Sequence, residues 1–253
     1  MTNYPTSTSD SQWQVIKGYL DNGRKRKHDL REIVNAILYV VKTGCQWRML
    51  PSDFPKWQLV YYYCRKWIES EVFDRILDKL RSKARISKGQ QSRATLGIMD
   101  SQSVRWGNNR SLKSYDGNKK IKGIKRHVVV DKNGFLLAVM VTVAHIHDSK
   151  AVMMLMRVLQ DSYHSLKVIM ADGGYCGNII KEVKERFGYL LQIVMRKEKK
   201  NSDFKPVHKR WIVERTFSWF ENDRRLCRNY ELLMETSEEM VKLSAIKLLL
   251  KHF

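Results

Sequence analysis

From residue 11 to about residue 86 the apolar positions recur at helical spacing. Trp13, Ile16 and Leu20 make one stripe; Leu30, Ile33, Val34, Ile37 and Val41 a second; Trp57, Tyr61, Cys64 and Ile68 a third; Phe73, Ile76, Leu77 and Leu80 a fourth. Four short helices are predicted. Asp29 offers the second an N-cap, with Glu32 three residues on, and Gly44 stands where a left-handed C-cap would end it. Pro51 and Pro55, in CQWRMLPSDFPKW, force a turn before the third. The pattern suits a helical domain over residues 1–90, either a helix-turn-helix module or a bundle that only packs or dimerises. The basic run RKRK at 24–27 favours DNA.

After the polar linker SKGQQSRAT (87–95) the period changes. LGIMDSQSV (96–104), KRHVVVD (125–131) and FLLAVMVTVAH (135–145) read as three strands, the last two joined by a hairpin turn with Gly134 where positive φ is needed. A helix over 148–164, N-capped by Asp148 or Ser149, leads to a fourth strand, KVIMAD (167–172). A helix around GNIIKEVKERFG, a fifth strand YLLQIVMRK and a long helix from about 208 to 226 follow, giving the order βββαβαβα. A meander followed by right-handed crossovers sets the first and fourth strands side by side and parallel, where the strand order reverses and open sheets place their ligands. Asp100 and Asp172 come from those two strands and are expected to face each other across a few ångströms.

Composition narrows the partner. Over 253 residues, 47 Lys plus Arg stand against 26 Asp plus Glu, a net charge of +21. Such a surplus concentrates polyanions, nucleic acid first. The opening MTNYPTSTSD lacks the apolar core of a signal peptide and no apolar run approaches the ~20 residues that span a bilayer, so a soluble, cytoplasmic protein with no membrane partner is expected. Cys45, Cys64, Cys176 and Cys227 form no CxxC pair and read as reduced, mostly buried thiols. No GxxxxGK loop is present, so no nucleotide cofactor is expected.

Two facing carboxylates repel unless a cation neutralises both. Hard oxygen ligands with no Cys or paired His nearby favour Mg²⁺ or Mn²⁺ over zinc. Glu214, in KRWIVERTFSWF, projects away from the apolar seam of the last helix and would complete a two-metal site; its simpler alternative is an i−4 pair with Arg210. Each aspartate taken singly also suits a turn or cap. Residues 105–126 carry Arg105, Arg110, Lys113, Lys119, Lys120, Lys122, Lys125 and Arg126 against Asp116 alone, a stretch for DNA phosphates or a solvated loop. Arg210, Arg215, Arg224 and Arg225 extend this basic surround. His145 and His147 read as structural or DNA-facing. Trp106, Trp211 and Trp219 suit the core or a stacked base.

DLREIVNAILYVVKTGCQWRMLPSDFPKW, DSQSV, KKIKGIKRHVVVDKNGFLL, ADGGY and RWIVERTFSWFENDRRLCRNYE, in this order and spacing, resemble bacterial DDE transposases of the insertion-sequence-five group over nearly the whole chain. The resemblance sets the family's acids on Asp100, Asp172 and Glu214, separated by 72 residues (100 to 172) and 42 residues (172 to 214). It implies an RNase H-like α/β fold over 91–253, a mixed five-stranded sheet with flanking helices, behind a DNA-binding helical domain over 1–90. With only about residues 198–207 between the fifth strand and the Glu helix, the insertion domain of related enzymes is expected to be absent. It further implies two Mg²⁺ or Mn²⁺ ions and double-stranded DNA, as transposon ends and target, that is cleaved and joined. A homodimer or larger synaptic assembly, at the nucleoid of a bacterial cytoplasm, is also implied. Some related groups carry a Tyr-Arg-Glu-Lys pattern around the third acid. Arg210 fits its Arg, whereas Val207 and Glu221 stand in place of Tyr and Lys, so no hairpin-forming role is carried over. A nuclease of the same fold, or a non-catalytic DNA-binding regulator, are the alternatives.

Overall fold

The computed structural model describes residues 4–21, 23–24, 27–162, 165–175, 177–194 and 209–253. The four apolar stripes become α1 (Asp10–Leu20), α2 (Leu30–Thr43), α3 (Trp57–Glu69) and α4 (Val72–Ile86). Ser9 caps α1 in a reciprocal box with Gln12, and Asp29 caps α2 by accepting the Arg31 N–H at 2.9 Å. Gly44 ends α2 at φ 69°, as its position predicts. Two residues of the RKRK run, Lys25 and Arg26, lie outside the described residues, as do Cys176 and the segment 195–208 that holds Val207.

The change of period at the linker becomes a sheet. Its strands are β1 (Leu96–Arg105), β2 (Ser114–Asp116), β3 (Ile121–Val130), β4 (Leu136–Val143), β5 (Val168–Ala171) and β6 (Leu190–Ile193). Between and after them come α5 (Asp148–Ser162), α6 (Ile179–Phe187) and α7 (Arg210–Glu221). The order is β2-β3-β1-β5-β6 with β4 also on β3. β3 is antiparallel to β1 and β4, whereas β5 is parallel to β1 and β6. A meander that passes into parallel crossovers in this order is RNase H-like. Five strands were expected; the sixth, β2, is three residues long, too short for alternation to reveal within a basic stretch.

Alternation along the strands divides the sheet. Met99, Val129, Ala138 and Met140 pack with Val152, Leu155, Met156 and Leu159 of α5, all at most 6% exposed. Each of the Val, Leu and Met side chains contributes roughly 1.5–3 kcal/mol by leaving water. The register Ile98↔Met170 sets Asp100 and Asp172, each two residues on, level with one another. Asp172 lies directly after β5 but Asp100 inside β1, which runs on to Arg105 because it stays paired with β3 there.

The predicted final helix is shorter than its apolar period. α7 stops at Glu221, and Asp223 takes an extended backbone and accepts the Ser244 hydroxyl at 2.6 Å and the Lys247 ammonium. Arg224 and Arg225 therefore belong to a separate 3-10 turn rather than to the face of α7. A further helix, α8 (Met234–Leu250), closes the chain's described elements. Leu243, Ile246 and Leu250 line one small cavity of about 20 Å³ with Ile16, Ile37 and Phe73, so the apolar C-terminal segment is core.

By contact, the chain forms two compact units: 1–92 with 220–228 and 239–253, and 93–219 with 229–238. A single cut near residue 90 thus describes only the first segment of the helical unit.

Candidate active site

Asp100 sits within β1, Asp172 directly after β5, and Glu214 one turn into α7. Each aspartate gives one oxygen to its own backbone. The Ser101 N–H donates to Asp100 Oδ1 at 2.7 Å, and the Gly174 N–H to Asp172 Oδ1 at 3.0 Å. Their other oxygens turn to Arg210. Its Nη2 is 3.6 Å from Asp100 Oδ2 and its Nη1 3.7 Å from Asp172 Oδ2. Nη2 is also 3.5 Å from Glu214 Oε1. The i−4 pair of Arg210 with Glu214 is therefore present, and the same guanidinium reaches both aspartates. These pairs are looser than charge-assisted hydrogen bonds of about 2.7–2.9 Å.

Three carboxylates face one cation, and Asp100 is the most enclosed, its side chain 15% exposed against 54% for Glu214. Burial raises the pKa of Asp100 to about 6; the Ser101 N–H and Arg210 offset this only in part, and the charge of Asp172 adds to it. The site is short of positive charge where Asp100 lies. An all-carboxylate donor set suits a hard divalent ion, and the shortfall is what such an ion supplies, so these residues fit one. As they stand, no three His, Cys, Asp or Glu among the described residues are grouped to hold a metal, and all three acids turn to the Arg210 guanidinium instead.

The basic residues singled out in the sequence separate into two sets. Lys119, Lys120, Lys122 and Arg224 are exposed, although Lys119 Nζ also donates to Ser101 O at 3.0 Å. Lys125 and Arg126 are not surface groups: they lie in β3, 6% and 2% exposed. Lys125 Nζ donates to Ile146 O at 3.0 Å beside Asp148 at 3.2 Å and Asp116 at 3.5 Å. Arg225, 7% exposed, donates to Cys45 O, which withdraws it from a DNA surface too. The reason is pairing on both edges of β3, with Ser103 and Thr142 flanking Lys125, which a run of charges cannot reveal. Arg215 is half-buried between the rings of Trp211 and Trp219, at 4.7 and 4.5 Å, and donates to Asn133 O. Trp106 is bonded through Nε1 to Asn109 and stacked by Lys113 at 4.0 Å.

Sequence reasoning missed a second polar group behind the first. Ser103 donates to Asp116 Oδ2 at 2.6 Å, and His127 Nε2 lies 3.0 Å from Thr142 Oγ1, with Lys125 and Asp148 alongside. A signal existed: Ser101 and Ser103, alternate positions of β1, stand opposite His127 and Lys125 in the register, hydrophilic on a face otherwise apolar. Burial lowers the pKa of His127 to about 4, with Lys125 and Lys119 reinforcing it against the pull of Asp148.

Residues 8–77 match a family described as "transposase of IS4/5 family", and residues 91–241 match the family described as "Transposase DDE domain". The uncharacterized protein y4sN of Sinorhizobium fredii (strain NBRC 101917 / NGR234) is 32% identical over 79 residues, 30% of this chain and 63% of that protein. A Burkholderia cepacia protein named as a transposase for insertion sequence element IS402 is 29% identical over 128 residues, 48% of this chain and 60% of that protein. The chain thus spans less than two thirds of either curated relative. Among solved structures, a piggyBac transposase synaptic complex with hairpin DNA is 11% identical, with 98% of this chain and 73% of that one covered and a TM-score of 0.44. The Mos1 mariner paired end complex with Mn is 12% identical, with 91% and 78% covered and a TM-score of 0.37.

Proposed function

Since the chain belongs to the transposase DDE-domain family, we propose that it is a DNA transposase whose Asp100, Asp172 and Glu214 form a metal-dependent site for strand cleavage and strand transfer. One observation carries the reading: β1, β5 and α7, remote in sequence, deliver three carboxylates to a single guanidinium. Bound by these residues, two Mg²⁺ or Mn²⁺ ions would stabilise both the attacking and the leaving oxygen of an in-line phosphoryl displacement.

The chain's own groups do the rest. Asp100 and Asp172 each keep one oxygen tied to backbone, which fixes the direction of the other. Arg210 holds the acids' charge in the free protein, and its planar fork also matches a phosphate, so an arriving strand competes with the acids for it. Glu214, half-exposed, is the acid a ligand reaches first. Exposed Lys120 and Lys122 meet DNA phosphates beyond the site. Exchange of one phosphodiester for another needs no nucleotide cofactor. The helical unit, residues 1–92 with 220–228 and 239–253, serves to bind transposon ends and the sheet unit to carry the chemistry, and two or more copies bring the ends together with the target.

The test is purified protein with Mg²⁺ and a labelled duplex bearing the flanking element end, beside Asp100→Asn. Nicks with 3′-hydroxyls and joined products, both lost in the variant, are expected. Cutting without joining would make the protein a nuclease, and binding without either a DNA-binding regulator.

A further inference from the structure

The turn that joins β3 to β4 carries none of the three site acids, yet α7 is anchored on it. Asp131, fully buried, builds this turn: its Oδ1 accepts the N–H groups of Asn133 at 2.8 Å and Phe135 at 3.0 Å. The Gly134 N–H donates to Asp131 O at 2.9 Å, and the Asp131 N–H to Phe135 O at 2.9 Å. Such a turn has few soft dihedrals left. Three contacts from α7 meet it. Arg215 Nη2 donates to Asn133 O at 2.9 Å. Thr216, with no exposed surface, lies with Oγ1 at 3.0 Å from both Gly134 O and Ile212 O, so its one proton serves the turn and the helix together. Trp219 packs against Gly134, which is glycine for two reasons: φ is 84°, and a Cβ would stand 2.7 Å from Thr216 Oγ1 and 3.0 Å from the Trp219 ring.

The consequence lies two residues away. Glu214 precedes Thr216 by about 3 Å of helix rise, and a slip of one residue would carry it ~1.5 Å along and ~100° around the axis. The other end of the linkage is Asp100, paired with Val128 on the strand that runs into this turn. Asp100 and Glu214 are thus joined through β1, β3, the turn and Thr216, a path made of paired strands and hydrogen bonds. We infer that the Asp131–Phe135 turn sets the axial and rotational position of α7, making Gly134 and Thr216 positioning residues for Glu214. The inference rests on the reading of Glu214 as part of the metal-dependent site.

Thr216→Val keeps the shape of the side chain and removes the hydroxyl; Thr216→Ser keeps the hydroxyl. Mn²⁺ titration of the DNA-free protein, followed by the paramagnetic resonance of free Mn²⁺, is read beside cleavage kinetics, with Glu214→Gln as reference. Thr216→Val is expected to weaken Mn²⁺ binding about fivefold and to lower kcat about tenfold or more at unchanged KM for the DNA end, since small misplacements near reacting groups carry such factors. Thr216→Ser should restore both. A Thr216→Val protein that melts earlier yet binds Mn²⁺ and cleaves like the parent overturns the inference and leaves a merely structural contact. If instead Glu214→Gln leaves Mn²⁺ binding and cleavage intact, the reading of the site itself fails, and the inference with it. Should Thr216→Val not fold, Arg215→Ala, which removes the bond to Asn133, is expected to shift the same two readouts in the same direction, and no shift there overturns the inference equally.

Discussion

β1 presents buried carboxylate chemistry on both of its faces, and the two faces have opposite electrostatics. On one, Asp100 joins Asp172 and Glu214 around Arg210 at 3.5–3.7 Å, and burial wins: the pKa of Asp100 rises to about 6. On the other, burial also pushes the Asp116 carboxyl up, but the Ser103 hydroxyl, the N–H of Lys119 and the charge of Lys125 outweigh it and hold the group below the usual range. A carboxylate that folding satisfies belongs to the structure; one that folding leaves short of positive charge is prepared for something that arrives later. Substitutions on the two faces should therefore trade places in what they damage.

The largest contrast is in activity. Asp172→Asn is expected to lower metal-dependent cleavage and joining about a thousandfold or more, as removal of a reacting group does, with end binding retained and the thermal midpoint little changed. A midpoint that collapses along with activity would place Asp172 among the structural groups. Lys125→Met should do the reverse. It strands Asp116 and Asp148 without their cation, which typically costs about 3–5 kcal/mol when the pair is buried, while the fraction that folds still cleaves. Denaturant melts of the variant against the parent decide it.

The difference is also visible in pH. For Asp100 the folded pKa lies above the unfolded one, so its share of stability is full below about 4 and is lost as pH rises through about 6. For His127 the folded pKa lies below the unfolded one, so its share is full above about 6.5 and is lost as pH falls through about 4. In metal-free protein the two oppose each other across that window, each worth on the order of 3 kcal/mol. Asp100→Asn should make stability climb with pH between about 4 and 6.5, and His127→Gln should make it fall. Parallel curves for the two variants would refute the assignment of opposite signs to the two faces.

How much of this was legible in the sequence depends on whether a residue's fate is set locally. The helical stripes, the caps at Asp29 and Gly44, the turn at Gly134 and the levelling of Asp100 with Asp172 follow from period, turn chemistry and crossover handedness. The end of α7 is set by Ser244 and Lys247, which hold Asp223 from some 20 residues away, and no local pattern announces them. Lys125 and Arg126 look like neighbours of Lys122 in one basic run. They become interior only because β3 extends to Ile121 and is paired on both edges. Arg210 was legible as a helical partner of Glu214, but its reach to both aspartates depends on where α7 lies over the sheet, which tertiary contacts such as Thr216 with Gly134 decide.

That same run offers the smallest and most local test of the comparison. Lys122 is exposed near the start of β3, whereas Lys125, three positions on, is 6% exposed, so two residues indistinguishable by charge should differ in every DNA readout. Each phosphate contact removed lowers the slope of log affinity against log salt by about one and weakens binding to all sequences alike. Lys122→Glu is expected to flatten the slope by about that amount and to weaken binding severalfold, with melting unchanged. Charge cannot be the variable at Lys125, since its ammonium is spent on Ile146 O and two carboxylates. Lys125→Met should leave the slope of the folded protein where it was. A slope that falls at 125 and not at 122 would mean that β3 turns its charges outward when DNA is bound, which would require its pairing with β1 or β4 to break.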